Sequence, residues 1–342
     1  MKPRVIKIDP QNIDVDLIEQ ASEVIHNRGL VAFPTETVYG LGANALDPEA
    51  VTGIFEAKKR PLDDPLIVHI ADMNDLNALS KDVPPAVERL LNRFWPGPLT
   101  VVLKKTEIVP DIVTTGLETV AIRMPSNPIA HKLIEVSGVP IAAPSANLFG
   151  RPSPTSASHV TDDLDGKIDV VLDGGSTEIG IESTVVEFIN GEVIVLRPGG
   201  IGIEELKSIL GDIFISIGSD KDEKSPGKYP QHYSPYARVI VSENSPAQVE
   251  NTFSTASKMR SKGHKVGIMA KKEHAEKYKE FDVKVLGSEE DGKTCASRLF
   301  HLFREFDAEG VDVIVAEGIP EMGLGLAVMN RLRKASGPDF TP

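Results

Sequence analysis

Four cations, Lys58, Arg60, Arg123 and Arg197, stand at the ends of short apolar segments in the first two thirds of the chain. An α/β sheet presents its ligand-binding groups at such places. A guanidinium fork matches the paired oxygens of carboxylate or phosphate, and an ammonium adds a point charge, so these residue types suit the gathering of several anions. Hydroxyls, amides and an imidazole accompany them in five clusters: residues 34–41 (PTETVYGL), Lys58 through His69, Thr119 to Arg123, Ser145 through Asn147 to Ser153, and Ser183-Thr184 through Arg197-Pro198-Gly199. Singly, each has a plain structural use. Lys58 and Arg60 can solvate a helix end, His69 can be a satisfied core histidine, and Ser145-Ala146-Asn147 can be a turn.

Positioning such groups requires regular elements, and the hydrophobic periods supply them. Residues 13–28 put Ile13, Leu17, Ala21, Val24 and Ile25 at helical spacing, with Gly29 where a C-cap belongs. LVAFP then predicts a strand ended by Pro34, PEAVTGIFEAKKR a helix entered through Pro48, and PLIVHIA a buried strand. PPAVERLLNRF, NPIAHKLIEVSG and IEELKSILG predict helices; LTVVLKK, TVAIRMP, PIAAPSA, DVVLDGG, STVVEFI and EVIVLRPG predict strands. Strands outnumber helices, and several follow one another directly. The expected fold of residues 1–212 is therefore α/β, a mixed twisted sheet flanked by helices. Residues 213–237 lose both periods and predict a linker. Residues 238–342 alternate strand and helix, which predicts a small Rossmann-like parallel sheet, and their polar residues form no constellation along the sequence.

Bulk properties narrow the classes. The chain has 342 residues, 41% of them hydrophobic, enough for two domains with sizeable cores. Its net charge of −13 is uneven: residues 1–212 hold 18 Lys and Arg against 31 Asp and Glu, and the remainder holds 19 of each. Phosphate contacts dominate nucleic-acid affinity, so stable direct binding of nucleic acid is not expected of so acidic a lobe. One cysteine, Cys295, permits no internal disulfide and no thiolate metal site, which suits a reducing compartment, the cytoplasm. No apolar run approaches the roughly 18 residues of a membrane span. Neither a phosphate-binding P-loop nor a strand-linked G-x-G-x-x-G occurs, and no G-x-S-x-G elbow presents a nucleophile. RPGGIGIEEL, at 197–206, leaves a strand and enters a helix; it is either a plain turn or an anion site at a helix N-terminus.

Taken together, the strings PTETVYGLGANA, KKRPLDDPLIVHI, TVAIRMPSNP, PSANLFGRPSPT, GIESTVVEF and RPGGI resemble those of the YrdC-like threonylcarbamoyl-AMP synthases. The resemblance runs from about residue 14 to 210, and SPGKYPQHYSP with the alternating segment after it resembles the long, two-domain members. It implies a YrdC-like catalytic domain over 1–212, a linker over 213–237 and a C-terminal domain over 238–342. The implied reaction joins ATP, bicarbonate and L-threonine, with Mg2+, to give L-threonylcarbamoyl-AMP and pyrophosphate. Downstream transfer proteins then carry the threonylcarbamoyl group to the adenosine beside the anticodon of ANN-decoding tRNAs. Matched residue by residue, the family assigns Thr37, His69, Arg123, Ala143 and Ser183 to L-threonine, and Arg60, Asp64, Thr119, Ser145, Asn147, Ser153 and Arg197 to ATP. Lys58 would face the phosphates or the bicarbonate, and Lys58, Arg60 and Arg123 carry the catalytic charge. Magnesium ligands stay unassigned.

Asp64 departs from the family, which commonly has asparagine there; a carboxylate beside a nucleotide needs a donor or a metal to compensate it. In the linker, His232, Tyr233 and Tyr236 suit a lid that excludes water from a labile adenylate, with His232 and Tyr236 reaching ATP; packing on a domain surface is the other reading. Three further classes have sequence arguments against them. An RNA-binding module needs a basic surface, a carbamoyl-transfer enzyme of hydrogenase maturation needs cysteines for zinc, and a dinucleotide enzyme needs a glycine fingerprint that neither KVGIMAKKEH nor VIVAEGIPEMGLG supplies.

Overall fold

The structure is a computed structural model, and it describes residues 2–218, 224, 229 and 231–337. Two units divide the chain. The first takes Met1–Phe149, Ser153–Glu178 and Glu182–Lys228; the second takes Gly150–Pro152, Ile179–Ile181 and Tyr229–Pro342.

Among the described residues the first unit carries twelve strands: β1 (Arg4–Lys7), β2 (Val31–Pro34), β3 (Tyr39–Asn44), β4 (Ile67–His69), β5 (Ser80–Lys81), β6 (Leu99–Lys105), β7 (Thr119–Arg123), β8 (Ile141–Ala142), β9 (Val170–Asp173), β10 (Thr184–Ile189), β11 (Glu192–Arg197) and β12 (Ile215–Ile217). They form one mixed sheet in the order β1-β9-β2-β3-β8-β4-β7-β6-β10-β11-β12, with β5 paired to β6. Its helices are α1 (Val15–His26), α2 (Pro48–Lys58), α3 (Met73–Leu79), α4 (Pro85–Phe94), α5 (Asp111–Thr114), α6 (Pro128–Ser137), α7 (Ala157–Leu164) and α8 (Ile203–Leu210).

Helix boundaries follow from local chemistry. Asp47 caps α2 by accepting from the N–H groups of Glu49 and Ala50, and Pro48 presets its first turn. The helix stops at Lys59, a left-handed residue at φ 54°, so Lys58 and Arg60 leave on different headings. At α1 the structure corrects the sequence reading: the left-handed position is Arg28 (φ 64°), not Gly29. Asp47 holds the Arg28 guanidinium at 2.7 Å and offsets the strain. A second correction concerns the expected linker, because Ile215–Ile217 pairs in parallel with Val193–Val195 and extends the sheet.

The two faces of the sheet are filled differently. Val68, Val120, Ile122, Leu99, Val101, Val186 and Val195 face the main core, with residues of α2, α3, α4, α5, α7 and α8. On the other face, α1 and α6 cover the half built from β1, β9, β2, β3 and β8. Among the described residues, the half built from β4, β7, β6, β10 and β11 holds a small cluster drawn from strands alone, Ile67, Ala121, Val102, Val185 and Leu196.

The second unit carries β13 (Arg238–Ser242), α9 (Gln248–Ser261), β14 (Val266–Lys271), a 3-10 turn at Ala275–Tyr278, β15 (Asp282–Gly287), α10 (Gly292–Ala308), β16 (Val313–Glu317) and α11 (Gly325–Ser336). Its sheet, β13-β16-β14-β15, is parallel throughout, as the strand and helix alternation predicts. None of the described helices is long and apolar enough to cross a membrane.

Candidate functional site

Register places the candidate residues abreast. His69 pairs with Ile141 and Arg123, Arg123 with Thr100, Thr100 with Val185, and Val185 with Arg197. Residues opposed across a ladder project to one face, so His69, Arg123, Thr100 and Arg197 share the half-face of that small strand cluster. At a strand spacing of about 4.8 Å, the backbones of Arg123 and Arg197 lie about 14 Å apart. Side chains bridge the gap. The hydroxyls of Thr100 and Ser183 are 2.7 Å apart, and Arg197 donates from Nη2 to Ser183 Oγ (3.1 Å) and from Nε and Nη2 to Ser183 O (3.2 and 3.0 Å).

Arg123 is buried and reaches the turn between β2 and β3. Its Nη1 donates to Thr37 Oγ1 (2.9 Å), its Nε to Gly97 O (3.3 Å), and its Nη2 lies 2.7 Å from Glu36 Oε1. Thr35 builds that turn: its hydroxyl accepts from the N–H groups of Thr37 and Val38 (3.1 and 3.2 Å) and donates to Val38 O (2.7 Å). His69 is buried beside Arg123, and burial with the arginine's charge pushes its imidazole down to about 3. It is therefore a neutral hydrogen-bonding group at physiological pH, not a cation. Ala143 follows β8, donates its N–H to Ile67 O (2.9 Å), and packs its methyl group in the cluster with α1 and α6.

A second group surrounds the loop after β8. The Lys58 ammonium donates to the carbonyls of Ser145 and, at 2.6 Å, Asn147, while the Lys58 carbonyl accepts from Phe149 N (2.9 Å). Burial and the neighbouring Arg60 charge hold the Lys58 pKa well below the usual lysine range. Ser145 Oγ donates to Asn147 Oδ1 (2.5 Å), and Gly40 bridges Ser145, which ties this loop to β3. Arg60 donates to Asp64 O (3.0 Å) and Pro65 O (2.8 Å), and its Nη2 pairs with Asp64 Oδ2 at 2.9 Å. The departure at Asp64 is thus compensated by Arg60 within the protein. Ser153 donates to the Glu182 carboxylate, next to Ser183.

Thr119 stands apart. It shares the face of Arg123 but sits four residues away on β7, about 13 Å, lining a cavity of about 700 Å³ with Lys81, Lys104, Lys105, Glu118, Glu187 and Lys224. The RPGGI segment is a turn: Gly199 packs against the backbone of Glu182 to Thr184, and the Glu205 carboxylate already accepts from Gly202 N (3.0 Å) at the start of α8. Two residues that the sequence reading gave no role, Thr100 and Glu36, complete the row. Register alone reveals Thr100, and the alternation of LTVVLKK was the available signal.

Magnesium has no evident cage. Among the described residues no three His, Cys, Asp or Glu side chains gather to hold a metal ion. Asp64 and Glu36 are each paired with an arginine, so the residues do not fit a magnesium held by protein ligands.

The linker residues His232, Tyr233 and Tyr236 belong to the second unit. The rings of His232 and Tyr233 are 4.1 Å apart, Tyr233 stacks on Phe300 at 5.5 Å, and the Arg331 guanidinium lies 5.1 Å from the Tyr233 ring. Tyr236 is 80% exposed under the Arg151 guanidinium, and its N–H donates to Asp307 (2.8 Å). Residues 219–223, 225–228 and 230 of the expected linker and lid, 213–237, lie outside the described residues. Although its polar residues are scattered in sequence, this unit does gather a cluster at the carboxyl ends of its strands. Glu317, fully buried, accepts from Tyr278 (2.6 Å) and Lys271 N (2.8 Å) and pairs with His274 (2.8 Å), while Lys271 Nζ pairs with Glu289 (2.8 Å).

Comparison with known proteins identifies the family. Residues 23–199 match the Sua5/YciO/YrdC family profile described as "Telomere recombination", and residues 201–337 match that of the "Threonylcarbamoyl-AMP synthase, C-terminal domain". A threonylcarbamoyl-AMP synthase of Pyrococcus abyssi is 51% identical over 94% of this chain and 94% of its own. One from Bacillus subtilis is 47% identical over 96% and 94%. The crystal structure of P. abyssi Sua5 complexed with L-threonine superposes with a TM-score of 0.90, at 48% identity, over 97% of each chain. The chain belongs to the Sua5/YciO/YrdC family, in its two-domain form.

Proposed function

We propose that the protein is L-threonylcarbamoyladenylate synthase, an enzyme of the nucleotidyltransferase class. It joins ATP, bicarbonate and L-threonine into L-threonylcarbamoyl-AMP, pyrophosphate and water. One observation carries the reading: Arg123 and Arg197, both buried and in one register row, are linked through Thr100 and Ser183. Substrates that are all anions, or carry anionic ends, repel one another, and fixed cations in a desolvated site offset that repulsion without reorganising.

On this reading Thr37, His69, Arg123, Ala143 and Ser183 hold threonine. Arg123 meets its carboxylate, the hydroxyls meet its polar groups, and the neutral His69 donates or accepts without adding charge. Arg60, Thr119, Ser145, Asn147, Ser153 and Arg197 hold ATP, with Asp64 acting through Arg60, and the linker that follows β12 serves as a lid. Lys58 keeps the loop of Ser145 and Asn147 in place and presents charge to bicarbonate or phosphate. The carbamate oxygen then attacks the α-phosphorus, and pyrophosphate leaves; no protein nucleophile takes part. Magnesium enters with ATP as part of the substrate.

The adenylate is the first product on the way to threonylcarbamoyladenosine beside the anticodon of ANN-decoding tRNAs. Downstream transfer proteins complete the modification in the cytoplasm, and this acidic chain needs no stable contact of its own with nucleic acid. Pyrophosphate release in the presence of labelled bicarbonate tests the reading. It must depend on threonine and fall with Arg123→Ala and Lys58→Ala; release that ignores threonine contradicts it. Deleting residues 226–236 lowers adenylate formation if the linker is a lid, and unchanged turnover removes that role.

A further inference from the structure

Glu36 sits in the turn between β2 and β3, 6% exposed and flanked by the two threonines whose hydroxyls fix that turn. Its Oε1 stands 2.7 Å from Arg123 Nη2, yet neither carboxylate oxygen accepts a hydrogen bond from a described residue. Arg123 Nη2 likewise donates none, although Nη1 and Nε are both used. A pair serving only to neutralise itself would settle into parallel N–H···O bonds. The ion pair balances the two charges, while the hydrogen-bonding capacity of both carboxylate oxygens and of Nη2 is left for a third group.

An α-amino acid supplies both missing partners at the right separation: an ammonium with three N–H donors, two bonds from a carboxylate. We propose that Glu36 holds the α-ammonium of L-threonine while Arg123 Nη2 holds its α-carboxylate, and that Glu36 takes a proton from the ammonium as the carbamate forms. The proposal rests on the synthase reading and adds a catalytic residue to it. In the step, the threonine nitrogen bonds to the bicarbonate carbon and the C–OH bond of bicarbonate breaks. The ammonium gives up two protons: one joins the departing hydroxyl, which leaves as water, and the other goes to Glu36, which returns it to solvent after turnover. Charge and atoms balance with no further reactant.

The test compares wild type and Glu36→Gln, each titrated with L-threonine and with 3-hydroxybutyrate, which is threonine without its amine. The glutamine variant is expected to bind threonine about tenfold or more weakly and 3-hydroxybutyrate as wild type does, the second result also showing that it folds. Its threonine-dependent pyrophosphate release should fall about a hundredfold and recover in part as pH rises, because a free amine needs no acceptor. Equal threonine affinity in the two proteins overturns the proposal. So does an equal loss for both ligands, which would make Glu36 a support for the turn alone. Failure of the wild type to bind threonine sinks the synthase reading itself, a result distinct from either.

Discussion

The residues of the site differ in how far their roles could be read from their types. Arg123, Thr37 and Ser183 sit together as the motif strings imply, because strand ends and tight turns leave a side chain few directions. Thr100 was hidden inside an apolar strand, and only the register with Arg123 shows that it faces the site. Thr100→Val, which keeps the shape and removes the hydroxyl, should destabilise the protein by about 1–3 kcal/mol and weaken threonine binding several-fold, as read by denaturation and titration. Unchanged threonine affinity would place Thr100 outside the site. His69 makes a prediction about pH. Its ordinary value of 6.5 is lowered to about 3 in the fold, so the folded chain refuses a proton that the unfolded chain accepts. The stability His69 contributes is present above about pH 6.5 and is lost as pH falls toward 3. Chemical denaturation at pH 7 and pH 5 should show a smaller pH penalty for His69→Gln than for wild type; equal penalties would contradict the burial of a neutral ring.

At the scale of elements, the strongly periodic segments were legible, from α1 through β16. Two of the shortest were not. β5 and β12 hold two and three residues, too few for a period of two to declare itself, and β12 was hidden in a stretch expected to be linker. The turn after β11 shows why an element can be placed correctly and its purpose still be ambiguous. RPGGI reads as either an anion site or a turn, and the decision comes from tertiary packing. A Cβ on Gly199 would lie 2.3 Å from the Ser183 carbonyl carbon and 2.4 Å from Glu182 O, both backbone atoms that cannot swing aside. Gly199→Ala must therefore push this turn off the Ser183 loop and break the bonds from Arg197. Activity should drop more than about tenfold with the helical circular dichroism retained, since α8 itself starts at Ile203. Full activity in that variant would show that Arg197 does not need Ser183 as its anchor.

Across the whole molecule, the two units answer to different constraints. The first buries Arg123 and Arg197 on one half of a sheet face and Lys58 and Arg60 beside the loop after β8, an arrangement that no composition count reveals, since residues 1–212 are acidic in sum. In the second, Lys271, His274, Tyr278 and Glu317 come from three separate elements and meet only because parallel strands end together. Removing the charge with Glu317→Gln should destabilise the second unit by about 1–3 kcal/mol, visible as faster hydrogen exchange in β14 and β16. Unchanged exchange would mean the cluster contributes nothing to the sheet. In the first unit, the buried cations are proposed to bring three mutually repelling substrates together for one condensation. The most direct measurement is pyrophosphate released from ATP by the purified protein, with threonine and bicarbonate each left out in turn. The account predicts release only when both are present, with label from bicarbonate appearing in an adenylate; release without threonine, or an adenylate free of that label, contradicts it.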